Sequence, residues 1–136
     1  MTELPCGSDA LVVRTDFSSG AAWEALRRTL SPPGENGFLA SVQLVDSRQF
    51  AGAAAEEVLA LLPVGYRHPL LVLADTVALA SEEQPLLVVN LRADRGHRIR
   101  VVARQLWSIE NNLSISNMDF AEFTQAADDD GVFRGF

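Results

Sequence analysis

The densest collection of hydrogen-bonding side chains in the sequence is the run Trp107-Ser-Ile-Glu-Asn-Asn-Leu-Ser-Ile-Ser-Asn-Met-Asp-Phe120. Wound into a helix, Leu106, Ile109 and Leu113 form one apolar stripe, and Trp107, Glu110, Asn111 and Ser114 form a second, at i, i+3, i+4 and i+7. An aromatic plane beside a carboxylate and an amide is a workable pocket wall. It offers stacking, directed hydrogen bonds and, through Glu110, proton transfer. The same residues also suit a structural corner. Asn111 and Asn112 would end one helix, because asparagine tolerates left-handed backbone. Ser116 or Asn117 would cap the next, with Ser116-x-x-Asp119 as a capping box. The two readings are compatible, and the candidate binding residues from this run are Trp107, Glu110, Asn111, Asn112, Asn117 and Asp119.

Three further acids, Asp16, Asp46 and Asp75, close three presumed parallel strands. The carboxyl edge of an open α/β sheet is where ligands bind, and three converging carboxylates could hold Mg²⁺. Helix capping accounts for them more simply, since an aspartate at an N-cap accepts a backbone N–H and suits the positive helix end. Asp46-Ser-Arg-Gln49 has capping-box spacing. Arg14 and Asp16 complete the candidate pocket with Trp107, Glu110 and Asn111. Arg98, Arg100 and Arg104 could take an anion through planar bidentate contacts, or pair with acids of the chain such as Asp128-Asp-Asp130. Those three acids follow a helix C-terminus, where negative charge opposes the macrodipole.

No catalytic residue is assigned. His68 precedes Pro69 at a strand start and His97 lies in a hairpin tip, and neither has a Gly-x-Ser-x-Gly or Cys/His pattern beside it. Two histidines without spaced acidic partners do not make a zinc site. The glycines are scattered and form no phosphate loop. No metal or cofactor is expected.

These residues must be positioned by a small number of elements. Strands are expected over 10–15, 41–46, 69–75, 86–92 and 98–103, and helices over 16–30, 53–62, 104–111 and 118–127, with a short helical or irregular crossing at 76–83. Residues 1–9 are a loose lead-in, and Ser31-Pro-Pro-Gly stops the first helix. The order β-α-β-α-β-β-β-α-α predicts a single α/β domain with a mixed five-stranded sheet and helices on both faces. The element order is thioredoxin-like by analogy alone. Ser18-Ser-Gly-Ala-Ala-Trp23 stands where the Cys-x-x-Cys of that fold would be, so thiol–disulfide exchange is excluded.

A chain of 136 residues holds one core. No apolar run approaches the roughly 20 residues of a membrane span. The N-terminus lacks the pattern of a signal peptide, and the single cysteine, Cys6, has no internal disulfide partner; both point to the cytoplasm. All 11 basic residues are arginine, a sign of GC-rich codon usage, and the net charge of −7 repels nucleic acid and anionic membrane. The charge is uneven. Residues 92–104 carry five arginines and one acid, whereas the rest carries six arginines and 17 acids. The basic strands 86–103 also lack the aromatics that stack nucleobases.

Three segments together resemble a family of small actinobacterial proteins known only as a domain of unknown function: Leu11-Val-Val-Arg-Thr-Asp-Phe-Ser18 with Ala22-Trp-Glu-Ala-Leu26, the Trp107–Phe120 run, and Asp128-Asp-Asp-Gly-Val-Phe-Arg-Gly-Phe136. The resemblance implies a bacterial, stand-alone domain and brings no catalytic residues. The function expected from the residues is a small acidic binding module with a protein partner, of inhibitor or immunity type, whose surface charge steers association. The alternative is a small-molecule-binding protein or acid–base enzyme at the pocket above. A weaker third is a subunit of a larger assembly, joined through the last strand's edge or the tail Phe133–Phe136. Ligand, partner and oligomeric state are not legible.

Overall fold

The structure, a computed structural model, describes residues 4–5, 7–31, 40–92 and 94–136. Cys6, the Pro32-Pro33-Gly34 helix stop and Ala93 of the hairpin link lie outside the described residues.

Strands form where β-branched and leucine-rich runs are short and end at polar residues. They are β1 (Ala10–Arg14), β2 (Val42–Val45), β3 (Leu70–Ala74), β4 (Pro85–Asn90), β5 (Arg98–Val102) and β6 (Val132–Phe133). Helices α1 (Gly20–Leu30), α2 (Ala55–Leu59), α3 (Thr76–Ala80), α4 (Leu106–Ser114) and α5 (Phe120–Ala126) connect them, with 3-10 turns at Arg48–Phe50 and Ala103–Gln105. The sheet order is β2-β1-β3-β4-β5-β6. β1 lies parallel to both β2 and β3, β4 runs antiparallel to β3 and β5, and β6 is parallel to β5. The expected hairpin and mixed α/β sheet are present, but the sheet has six strands and not five. The extra strand is two residues long, too short to leave a period-2 signature, and forms because Val132 and Phe133 pair with Arg100 and Val101.

The period-2 alternation of the strands divides the core in two. Val12, Val72, Val88, Ile99 and Val101 face one side, where Trp23, Leu26 and Leu30 of α1, Ala78 of α3, Ile109 of α4 and Phe123 of α5 cover them. Leu11, Val13, Leu71, Leu73 and Val89 face the other, against Phe50, Ala55 and Val58. Helices thus lie on both faces, but four cover the first and only the five-residue α2 covers the second. Strands β1, β2, β3 and β5 all finish at one sheet edge, the carboxyl edge, and β4 starts there.

Candidate functional site

At the carboxyl edge the organising residue is Arg14, the last residue of β1, only 8% exposed. Its Nε donates to the Asp16 carbonyl at 3.0 Å and one terminal nitrogen to Asp46 Oδ1 at 3.2 Å. The guanidinium lies 4.3 Å above the Phe17 ring centroid and 5.3 Å from that of Trp23, within cation–π range. Planar, permanently charged and weakly hydrated, arginine is the cation best suited to such a slot. Its donors are directed into the chain.

The three strand-end aspartates have three different fates. Asp75 caps α3, accepting from Ala78 N–H at 3.1 Å. It also takes a bidentate pair from Arg100 at 2.7 and 2.9 Å. Asp16 closes a local turn by accepting from Ser18 N–H, and the N-cap of α1 is Ser19, whose hydroxyl accepts from Ala22 N–H. Asp46 pairs with Arg14, and the turn after it carries no side-chain cap, contrary to the capping-box expectation for Asp46–Gln49. Among the described residues no three His, Cys, Asp or Glu side chains gather as a metal ion would need.

Glu110 belongs to the opposite, amino edge. It is 3% exposed, and its partner is His68, 5% exposed. His68 Nε2 lies 2.9 Å from Glu110 Oε2, while Nδ1 accepts from Leu70 N–H at 3.0 Å. That acceptor role places the ring proton on Nε2, which donates to the carboxylate. The other carboxylate oxygen accepts from Ser41 N–H at 2.7 Å and from Asn111 Nδ2 at 3.2 Å. Beside them the Tyr66 hydroxyl accepts from Leu11 N–H and donates to the Leu70 carbonyl at 2.7 Å. Burial pushes the Tyr66 phenol up to about 12. The dyad and the tyrosine tie the starts of β1, β2 and β3 to α4, and every polar atom named there is bonded.

Sequence-derived pocket residues are therefore not brought together. Arg14 and Asp16 stand at one sheet edge, and Glu110 and Asn111 at the other, with β1 between them; Trp107 is half-buried in the first turn of α4, packed on the core. Asn112 donates to the Ser108 carbonyl at 2.8 Å and accepts from Asn117 Nδ2 at 2.8 Å. These bonds stitch the α4–α5 corner. The corner differs in detail from expectation: α4 continues through both asparagines to Ser114, and Ser116, at φ 56°, is the left-handed residue. Asp119 is the N-cap of α5, and its N–H donates to the Glu122 carboxylate at 3.2 Å.

The anion-site arginines split as well. Arg98 bonds Glu56 at 2.9 Å and Arg100 bonds Asp75, so both are neutralised within the chain, and Arg104 is exposed. The Glu56 carboxyl sits below its ordinary value, held first by its own backbone N–H and then by Arg98. The acids of 128–130 find a different partner, Arg134. Its guanidinium makes five bonds of 2.7–3.1 Å, to both oxygens of Glu83, both of Asp130 and one of Asp128. The Glu83 and Asp130 carboxyls are lowered by those bonds, and Arg134 is raised by Glu83, Asp130 and Asp128.

Sequence reading missed the His68–Glu110 dyad and the Arg134 hub. The available signals were a histidine leading into an all-apolar strand and an arginine set between two phenylalanines beside an acidic run.

The family model described as "Domain of unknown function (DUF6924)" matches residues 9–136, so the chain belongs to that family. No curated protein matches the chain.

Proposed function

From membership of a family that carries no assigned activity, we propose that this protein is an acidic binding module for a basic protein partner, in the manner of an inhibitor or immunity protein. One observation carries the reading: the candidate proton-transfer and anion-binding groups at the sheet edges are bonded internally, while acids in excess of their cations collect at the surface near the tail. Glu110, His68 and Arg14 are buried and satisfied. Glu82, Glu83, Asp128, Asp129 and Asp130 are all exposed; Arg134 bonds three of them and Arg104 lies near enough to Glu83 to help lower its carboxyl, so acids still outnumber cations there. The Phe136 ring, 75% exposed, stands on Phe123 and Phe133 beside them. Excess negative charge with an aromatic at its margin steers a cationic partner and offers it an apolar contact. The setting we propose is the cytoplasm of an actinobacterium, on the all-arginine basic residues and the single cysteine.

The test is calorimetric titration with an arginine- and tryptophan-containing peptide over a range of salt. Binding should weaken as salt rises, and Glu82→Gln with Asp129→Asn should weaken it severalfold, because exposed charges act mainly on the association rate. Glu110→Gln turns an amide N–H toward a donor. It should cost about 1–3 kcal/mol of stability in urea unfolding and leave peptide affinity unchanged. Peptide binding indifferent to both salt and the surface substitutions would overturn the proposal.

A further inference from the structure

Five arginines are in ion pairs among the described residues: Arg14, Arg27, Arg98, Arg100 and Arg134. Of those outside such pairs, three lie together at the amino edge, where the β4–β5 hairpin tip meets the segment leading into β3. They are Arg67, Arg92 and Arg95. An Arg92 terminal nitrogen donates to the Arg67 carbonyl, and Arg95 donates to the Leu91 carbonyl at 3.1 Å. Each carbonyl orients one guanidinium and uses one of its five N–H groups, and among the described residues neither guanidinium is in an ion pair with a carboxylate. Asp94, between them in sequence, forms an ion pair with neither among the described residues.

Beneath these side chains is a cavity of about 210 Å³ lined by Leu62, Tyr66, His68, Leu91, Arg92 and Arg95. Its floor is rigid, because the Tyr66 hydroxyl and both His68 ring nitrogens are committed to backbone and to Glu110. The Glu110 carboxylate bonds the imidazole, and its charge and that of Asp9 both act on Tyr66. A fixed floor of bonded polar groups under oriented guanidinium forks is a receptor for an oxyanion, since the forks match its oxygens in pairs. Two cations lining one cavity favour a doubly charged anion over a single charge.

We propose that this amino-edge cavity binds a phosphate group, held by Arg92 and Arg95, with the Arg67 backbone carbonyl orienting Arg92. This site is separate from the acidic surface of the preceding section, and either can fail without the other. The anion site so placed is also not the one the β5 arginines suggested, because Arg98 and Arg100 already hold acids of the chain.

The experiment is a nuclear magnetic resonance titration of the whole chain with inorganic phosphate, and separately with a phosphomonoester such as phenyl phosphate, at ionic strength fixed by chloride. Saturable shifts of the Arg92 and Arg95 Nε–H signals are expected. Arg92→Gln and Arg95→Gln, both at exposed positions, should each weaken binding about tenfold or more, as loss of a charge-assisted bond implies. Tighter binding of the monoester would identify the phosphate as the head of an organic ligand, and equal binding would identify the free ion. Acetate shifting the same signals with equal affinity would overturn the phosphate assignment. Linear shifts spread over all arginines, unchanged in the variants, would overturn the site.

Discussion

Residue by residue, the ionisable groups of this protein behave according to the edge of the sheet on which they stand. Arg14 was legible as a strand-end cation, and the stripe Trp107, Glu110, Asn111 as one face of a helix. Periodicity could not tell that α4 descends to the edge opposite Arg14, because that depends on the direction of β5. Nor could it pair Glu110 with His68, 42 positions away in sequence. Tyr66 offers a clean measurement of this buried corner, since it is the chain's only tyrosine. Its folded pKa is raised by burial from 10.0 to about 12. A raised pKa means that the folded state holds the proton longer than the unfolded one. The tyrosine's contribution is therefore complete below pH 10 and is lost as pH rises toward 12. Ultraviolet titration should show phenolate forming near 12 in the native protein and near 10 in concentrated urea. A native midpoint at 10 would mean that Tyr66 is open to solvent.

Elements were read well where periodic runs were long and poorly where they were short. The strands β1, β3, β4 and β5 and the helix α1 fall where apolar alternation or the Trp23, Leu26, Leu30 stripe put them. α2 is shorter than its apolar pattern, and β6 escaped notice because two residues carry no period. What fixes β6 is a side chain beyond it. Arg134 spends all its five bonds on Glu83, Asp128 and Asp130, joining the tail to the loop before β4. Arg134→Gln should speed amide exchange at Val132 and Phe133 while leaving β1 and β3 protected. Acid should act in the same direction. Glu83 and Asp130 have lowered carboxyls, so their contribution is present above the ordinary values of 4.5 and 3.8 and is lost as pH falls below them. Exchange at β6 that ignores both the substitution and acid would show that Phe123 and Phe133 packing holds the strand alone.

At the scale of the whole molecule, the order of elements foretold a mixed α/β fold, and charge asymmetry pointed to the arginine-rich stretch 92–104. The sequence could not show that two of its five arginines are held by Glu56 and Asp75. The sheet's arrangement has a consequence in time. Val88 faces Ile99 across a short hairpin, whereas Leu11 must find both Gln43 and Leu71. Local pairings close at little entropic cost, and pairings between distant segments wait for the intervening chain to order. During refolding, pulse-labelled amides of β4 and β5 should become protected before those of β1; the reverse order would sink this account. A strand buried along its whole length in the finished sheet is then among the last to be locked in. On the ribosome, β1 emerges first and must wait through the synthesis of β3 before both of its neighbours exist.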